Sequence, residues 1–178
     1  MWYYWYSSWE VLLMRVDKPE IIKEVLSTIR SDYGFNHNRY IRDSLVFWLM
    51  CSGVHLYNMS DIKTADVNRA EKQITVNEIV YKIIDDDVIR LIDEWDKCVY
   101  VESERFGPVY LAEVEYLFRP TVVDRLFEEK SNSGVFIAAI RRISDHYFDI
   151  TGRRITMTSM GVTMPGVFSD VVEVIEIV

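Results

Sequence analysis

RDSLVFWLMCSGVHLYNMSDIKTADVN, residues Arg42 to Asn68, is the stretch that decides the fold. Leu45, Val46, Phe47, Trp48, Leu49 and Met50 follow one another without a polar break, and a helix apolar on almost every side belongs in the middle of a core. The run is too short, and too closely followed by polar residues, to span a membrane. Gly53 predicts its end, because a glycine closes many helices in the left-handed conformation at no steric cost. A second helical pattern begins at His55, with Leu56, Met59 and Ile62 three apart. Asp66-Val67-Asn68 then leads into a turn.

Upstream, Asp17-Lys18-Pro19-Glu20 predicts a helix start: Asp17 caps, Pro19 suits the first turn and Glu20 sits three after the cap. Ile21, Ile22, Val25, Leu26 and Ile29 mark its apolar face. Residues 31–38 read as a loop before the central helix. Downstream, Lys72 to Val76 and Ile79 to Ile84 are rich in β-branched residues and predict a hairpin turning at Asn77-Glu78. Asp85-Asp86-Asp87 predicts the N-terminus of a helix carrying Val88, Ile89, Leu91, Ile92, Trp95 and Cys98, since carboxylates cap amides and meet the positive end of the dipole. A cation site would need ligands from more than one turn, so no metal is expected there. Val99 to Phe106 reads as extended and Gly107-Pro108 as a break. Val109 to Leu117 fits helix or strand. Thr121 can cap a helix with Val122, Val123, Leu126 and Phe127. After a loop at Ser131 to Gly134, Val135 to Phe148 forms a helix with Ile137, Ile140, Ile143 and Tyr147 on one side and Arg141-Arg142 on the other.

The 178 residues suffice for one domain, and a 49% hydrophobic content excludes a disordered chain. A net charge of −8 argues against a general nucleic-acid coat, because phosphate neutralisation needs Lys and Arg. A local basic face on an acidic protein stays compatible with it. Cys51 and Cys98 fall on apolar helical patterns and read as buried, reduced thiols of a cytoplasmic protein. No Cys-His cluster suggests zinc, and no cofactor is expected. Residues 1–16 form an aromatic-rich segment, with Trp2, Tyr3, Tyr4, Trp5, Tyr6 and Trp9. It lacks the basic start and cleavage site of a secretory signal. It packs either on the domain's own core or against a partner protein or second copy.

The order of features resembles the catalytic domain of tyrosine recombinases, the phage-integrase family. In that family a buried helix runs into Thr-Gly-Leu-Arg-Ile-Ser-Glu-Leu, then Leu, Trp and Asp-Ile. Here Ser52 to Met59 fills the first box, and Ile62, Asp66 and Val67 fill the second. Leu117-Phe118-Arg119-Pro120 resembles the family's Leu-Phe box. Gly152 to Gly161 resembles its Ile-Thr-Pro-His-x-Leu-Arg-His box, with Ile155, Thr156 and Met160 at fitting positions, and Gly166 to Val178 resembles the helix after it. The resemblance covers residues 17–178 and implies one mainly helical α+β domain with a small antiparallel β element. The catalytic positions do not match. The first arginine falls on His55, its neighbouring acid on Asn58, the conserved histidine on Thr158 and the second arginine on Gly161. The hairpin has no lysine at its tip, and no tyrosine lies beyond Tyr147.

The family cleaves strands with a tyrosine nucleophile and with cationic donors that hold charge on the phosphoryl oxygens. A chain without them is expected not to be an enzyme. The resemblance then implies a catalytically inactive protein that binds double-stranded DNA, a repressor or accessory regulator of a phage or mobile element. Its expected DNA face comprises His55, Lys63, Lys72, Lys82, Arg141, Arg142, Arg153, Arg154 and Thr158. The alternative is a protein-interaction module using the aromatic N-terminus or the acidic Asp85 to Glu104 region. Recombinases grip DNA between two domains, so a single module should bind weakly unless it dimerises.

Overall fold

A computed structural model describes residues 19–83, 85–103, 107–110, 115–118, 130–158, 161–163 and 176–177. The aromatic segment, the Asp17 cap and the helix expected after Thr121 lie outside these residues, as does most of the stretch after Gly166. The architecture is mainly helical with small antiparallel β elements, as expected. Helix α1 is Pro19–Ile29, α2 His37–Cys51, α3 Leu56–Met59, α4 Asp86–Asp96 and α5 Ser133–Thr151. Strands β1 (Val67–Asn68), β2 (Gln73–Val76), β3 (Ile79–Lys82) and β8 (Glu176–Ile177) form one antiparallel sheet in that order. β4 (Val99–Ser103) pairs with β5 (Gly107–Tyr110), and β6 (Thr156–Thr158) with β7 (Gly161–Thr163).

The apolar run is the centre of the molecule. Every residue of α2 from Ile41 to Cys51 is buried. Helix α5 packs on α1, α2 and α3, and α4 packs on α2. Phe47 meets Tyr147 edge-on at 6.0 Å, and Phe118 meets Phe136 at 5.2 Å. Each outer helix buries one stripe at helical spacing: Ile22, Val25, Leu26 and Ile29 on α1, and Val88, Leu91, Ile92 and Trp95 on α4. Among the described residues, no helix is long and apolar enough to cross a membrane.

Four boundaries differ from the expectation. Helix α2 begins at His37, because Asn36 caps it by accepting from the Arg39 N–H at 3.1 Å. The preceding residues Arg30–Tyr33 form a 3-10 turn rather than an open loop. The helix expected from His55 to Lys63 stops at Met59. Ile62 and Thr64 are drawn out of helical geometry by residues 115–117: the Leu117 N–H donates to the Ile62 carbonyl at 2.8 Å, and the Thr64 N–H to that of Glu115 at 2.9 Å. Gly107 and Pro108 begin β5 instead of breaking the chain's extended course, which a two-stranded ladder with a free edge tolerates.

The cysteines behave as packed apolar groups. Cys51 is fully buried, and Cys98 is buried with its thiol donating to the Glu94 carbonyl at 3.3 Å. Burial pushes the Cys98 thiol above its ordinary pKa, with Glu94 adding to the effect. Both should therefore label with a thiol reagent at neutral pH only as fast as the fold opens, Cys98 before Cys51. Labelling rates followed by mass spectrometry, with and without mild denaturant, check this.

Candidate functional site

The tip of the β2–β3 hairpin is a two-residue turn in which Asn77 and Glu78 both have positive φ, 49° and 65°. This is the primed geometry that follows the twist of two paired strands, and asparagine is among the few side chains that tolerate it. The tip folds onto the segment that follows α2. Asn77 donates through Nδ2 to Asn58 Oδ1 at 2.9 Å and to Asp61 Oδ2 at 3.0 Å. Asn58 is buried and donates in turn to the Tyr81 hydroxyl at 2.9 Å. Lys130, just before α5, pairs with Asp61. Lys130, followed by Asn77, holds the Asp61 carboxyl below the usual carboxylate range.

His55 occupies the N-cap position of α3 without a side-chain capping bond, half-buried and stacked on the exposed Tyr57 ring at 5.2 Å. Lys63 follows Asp61 by two residues. It pairs with Glu115 at 2.7 Å, which raises its pKa, and it faces the Tyr116 ring at 5.7 Å. Lys130 faces the same ring at 5.8 Å. Asn58, Asn77, Asp61, Lys130, Lys63 and Glu115 thus form a polar centre of balanced charge. Amides and matched ion pairs occupy it.

The nine residues expected on a DNA face fall in three places. Lys63 stands at this centre, and His55, before α3, stacks on Tyr57. Lys72 and Lys82 belong to the hairpin, but Lys72 precedes the strand and pairs with Asp86 of α4 at 2.6 Å, which raises its pKa. Arg69 likewise binds Asp93 and Asp96 of α4, at 2.8 and 2.6 Å. Lys82 is exposed on β3. The third group sits on and after α5. Arg141 is exposed. Arg142 donates through Nε to Asp43 at 2.8 Å. Gly152 ends the helix in the left-handed conformation, with φ at 71°. Beyond it the Arg153 guanidinium faces the Tyr147 ring at 5.8 Å, and that of Arg154 covers Phe148 at 4.3 Å. Cations are favoured there, at the negative end of the α5 dipole. The backbone of Thr158 closes β6 opposite Gly161 of β7.

Sequence reasoning missed a heavily bonded polar group among the described residues. Asp43 is fully buried in α2 and receives four donors. Arg42 Nε and Nη2 reach Oδ1 at 3.1 and 3.0 Å, while the Tyr33 hydroxyl at 2.7 Å and Arg142 Nε reach Oδ2. The available signal is Asn36, whose capping places Arg42-Asp43 inside the helix rather than at its start.

Comparison with protein-family models, with curated proteins and with solved structures gives no match.

Proposed function

We propose that this chain is a catalytically inactive, tyrosine-recombinase-like DNA-binding protein, a repressor or accessory regulator of a phage or mobile element. One observation carries the reading: the hairpin tip and the Ser52 to Met59 segment converge on each other. A strand-cleaving centre of the recombinase type needs that convergence, because its hairpin lysine and first arginine must reach the same phosphate. In this chain the convergence is kept and its chemistry is exchanged. Asn77 and Asn58 make a neutral amide chain, and Asp61 brings a carboxylate toward the place where negative charge would develop. Deleting one such donor already costs roughly 100-fold in rate, so no strand cleavage is expected. DNA contact falls to Arg141, midway along α5, and to Arg153 and Arg154 just after it, together with Lys82 and His55.

A second reading has its own support. Lys63, Lys72 and Arg142 are each matched by a carboxylate, and Phe35 and Tyr57 stand exposed. Those features favour a module that holds a partner protein.

A gel-shift titration with mixed genomic fragments at two salt concentrations separates the two. The DNA-binding reading expects a discrete, salt-weakened shift. Arg141→Ala/Arg154→Ala should weaken it and flatten the dependence of log K on log salt by about two, one unit for each phosphate no longer neutralised. The absence of any shift at micromolar protein and low salt would overturn it for this domain and favour the interaction module.

A further inference from the structure

The foot of the β2–β3 hairpin meets α4 through charges. Between β1 and β2 the chain turns tightly: Asn68 Oδ1 accepts from the Glu71 N–H at 3.0 Å, and Lys72 leads into β2 through left-handed backbone, with φ at 52°. This turn carries Arg69 and Lys72. The Ile83 N–H donates to the Lys72 carbonyl at 2.8 Å, which closes the foot and brings the exposed Lys82 to it. Helix α4 buries Val88, Leu91, Ile92 and Trp95, so the core fixes which side of it faces outward. Asp86, Asp93 and Asp96, seven and three residues apart, share one outward face.

That face binds both cations of the turn. Arg69 donates through Nε to Asp93 at 2.8 Å and through Nη2 to Asp96 at 2.6 Å, and Lys72 pairs with Asp86 at 2.6 Å. Phosphate oxygens make the same charge-assisted bonds to these side chains. Arg90, next to this face on α4, is occupied within the helix by Asp87 and Glu94. The contact lies at the surface: the Arg69 and Lys72 side chains are 39% and 53% exposed, and that of Asp86 is 78% exposed. Exposed pairs are weak and screened by salt, so an incoming phosphate can compete for the cations. The carboxylates hold one advantage, since they are part of the same molecule and act at a high effective concentration.

We infer that the hairpin foot is a second phosphate-binding surface and that α4 is its built-in competitor, its Asp86, Asp93 and Asp96 carboxylates occupying Arg69 and Lys72 where duplex phosphates would bind. The acidic face of α4 thereby holds down the affinity of the chain for DNA. The inference rests on the DNA-binding reading and adds to it a control on affinity.

The test is fluorescence anisotropy of a labelled DNA duplex titrated with the full chain over a range of salt concentrations. Asp86→Asn/Asp93→Asn/Asp96→Asn frees Arg69 and Lys72. This variant should bind about tenfold more tightly than the wild type at low salt, and its slope of log K against log salt should steepen by about two, one unit for each phosphate newly neutralised. Asp86→Asn alone, at the most exposed of the three acids, frees only Lys72 and should steepen the slope by about one. Removing negative charge strengthens DNA binding in any protein, so the cations decide the matter. Arg69→Gln/Lys72→Gln should change the affinity of the wild type less than about threefold, because both cations are already occupied, and should abolish the gain in the triple variant. An equal effect of that cation deletion in both backgrounds would mean that net charge alone acts, and overturns the inference. A wild-type chain that binds DNA while the triple variant gains nothing overturns it too and leaves the DNA-binding reading standing. Binding by neither protein overturns both.

Discussion

Asp43→Ala is expected to destabilise the fold by about 3–5 kcal/mol, because it leaves buried guanidinium and phenol groups without their common acceptor. The wild-type carboxylate is fully buried yet collects two donors on each oxygen, from Arg42 on one side and from Tyr33 and Arg142 on the other. Arg42 is itself almost fully buried, so water cannot take over. Asp43→Asn should also be costly, since the new NH2 would face donors on one of its two sides. Arg142→Met should cost much less, because Arg42 and Tyr33 still satisfy the carboxylate and Arg142 is partly exposed. The Asp43→Ala/Arg142→Met pair should be less destabilised than the sum of the two single variants. Urea midpoints at constant m-value measure all four. A loss under about 1 kcal/mol for Asp43→Ala would mean that the site collapses around the gap. Burial, followed by the Asp43 charge, pushes the Tyr33 phenol well above its ordinary pKa near 10. Its contribution to stability is therefore complete below that ordinary value and is lost as pH rises through the higher folded one. An alkaline titration followed residue by residue should show Tyr33 resisting ionisation until the protein unfolds, and resisting less in Asp43→Asn.

What the sequence makes legible is whatever periodicity and local chemistry control. The unbroken apolar run from Leu45 to Met50 can only be a core helix, and it is one. Asn77-Glu78 between two β-branched runs can only be a tight turn, and Asp85 does cap α4, accepting from the Asp87 N–H at 2.9 Å. The misplaced boundaries come from partners distant in sequence. Nothing within residues 55–63 shows that residues 115–117 will pair with Ile62 and Thr64 and end α3 after four residues. Asp43 is harder still. A charged pair ahead of an apolar run reads as a helix start, since ionised groups rarely go inside unless matched. Part of the match is Arg142, 99 residues later, completing what Arg42 and Tyr33 supply.

The candidate site is legible in its chain segments and not in its bonds. Its two halves, the segment after Gly53 and the hairpin tip, both stand out in the sequence. That they touch through Asn77 depends on the hairpin's inclination to α2, which no local pattern encodes. The basic residues are visible in the sequence, but their roles are not. Lys63, Lys72 and Arg142 have spacing no different from that of Arg141 or Arg154. Only the acids brought beside them by folding separate paired cations from exposed ones. The acidic total charge is the clue that many lysines and arginines are matched.

Trp95→Ala is the second large effect, about 3–5 kcal/mol, as for other fully buried aromatics. Trp95 is fully buried at the last turn of α4, and its indole N–H donates to the Leu117 carbonyl at 2.8 Å. The indole therefore does two jobs: it fills the core against α2, and it ties α4 to the segment that pairs with residues 62–64. Trp95→Phe separates them. It keeps most of the aromatic packing and removes the donor, which should cost about 1–3 kcal/mol for a buried carbonyl left unpaired. The loss should also be local. The Leu117 N–H bonds to Ile62, the Thr64 N–H bonds to Glu115, and this ladder carries Glu115 and Tyr116 to Lys63. In Trp95→Phe, hydrogen exchange at Leu117 and Thr64 should accelerate more than at the centre of α5, which packs on α1 and α2 instead. Equal acceleration at all these amides would mean that the indole acts only through its volume. Selective acceleration would show that one hydrogen bond holds the polar centre's outer wall to the core.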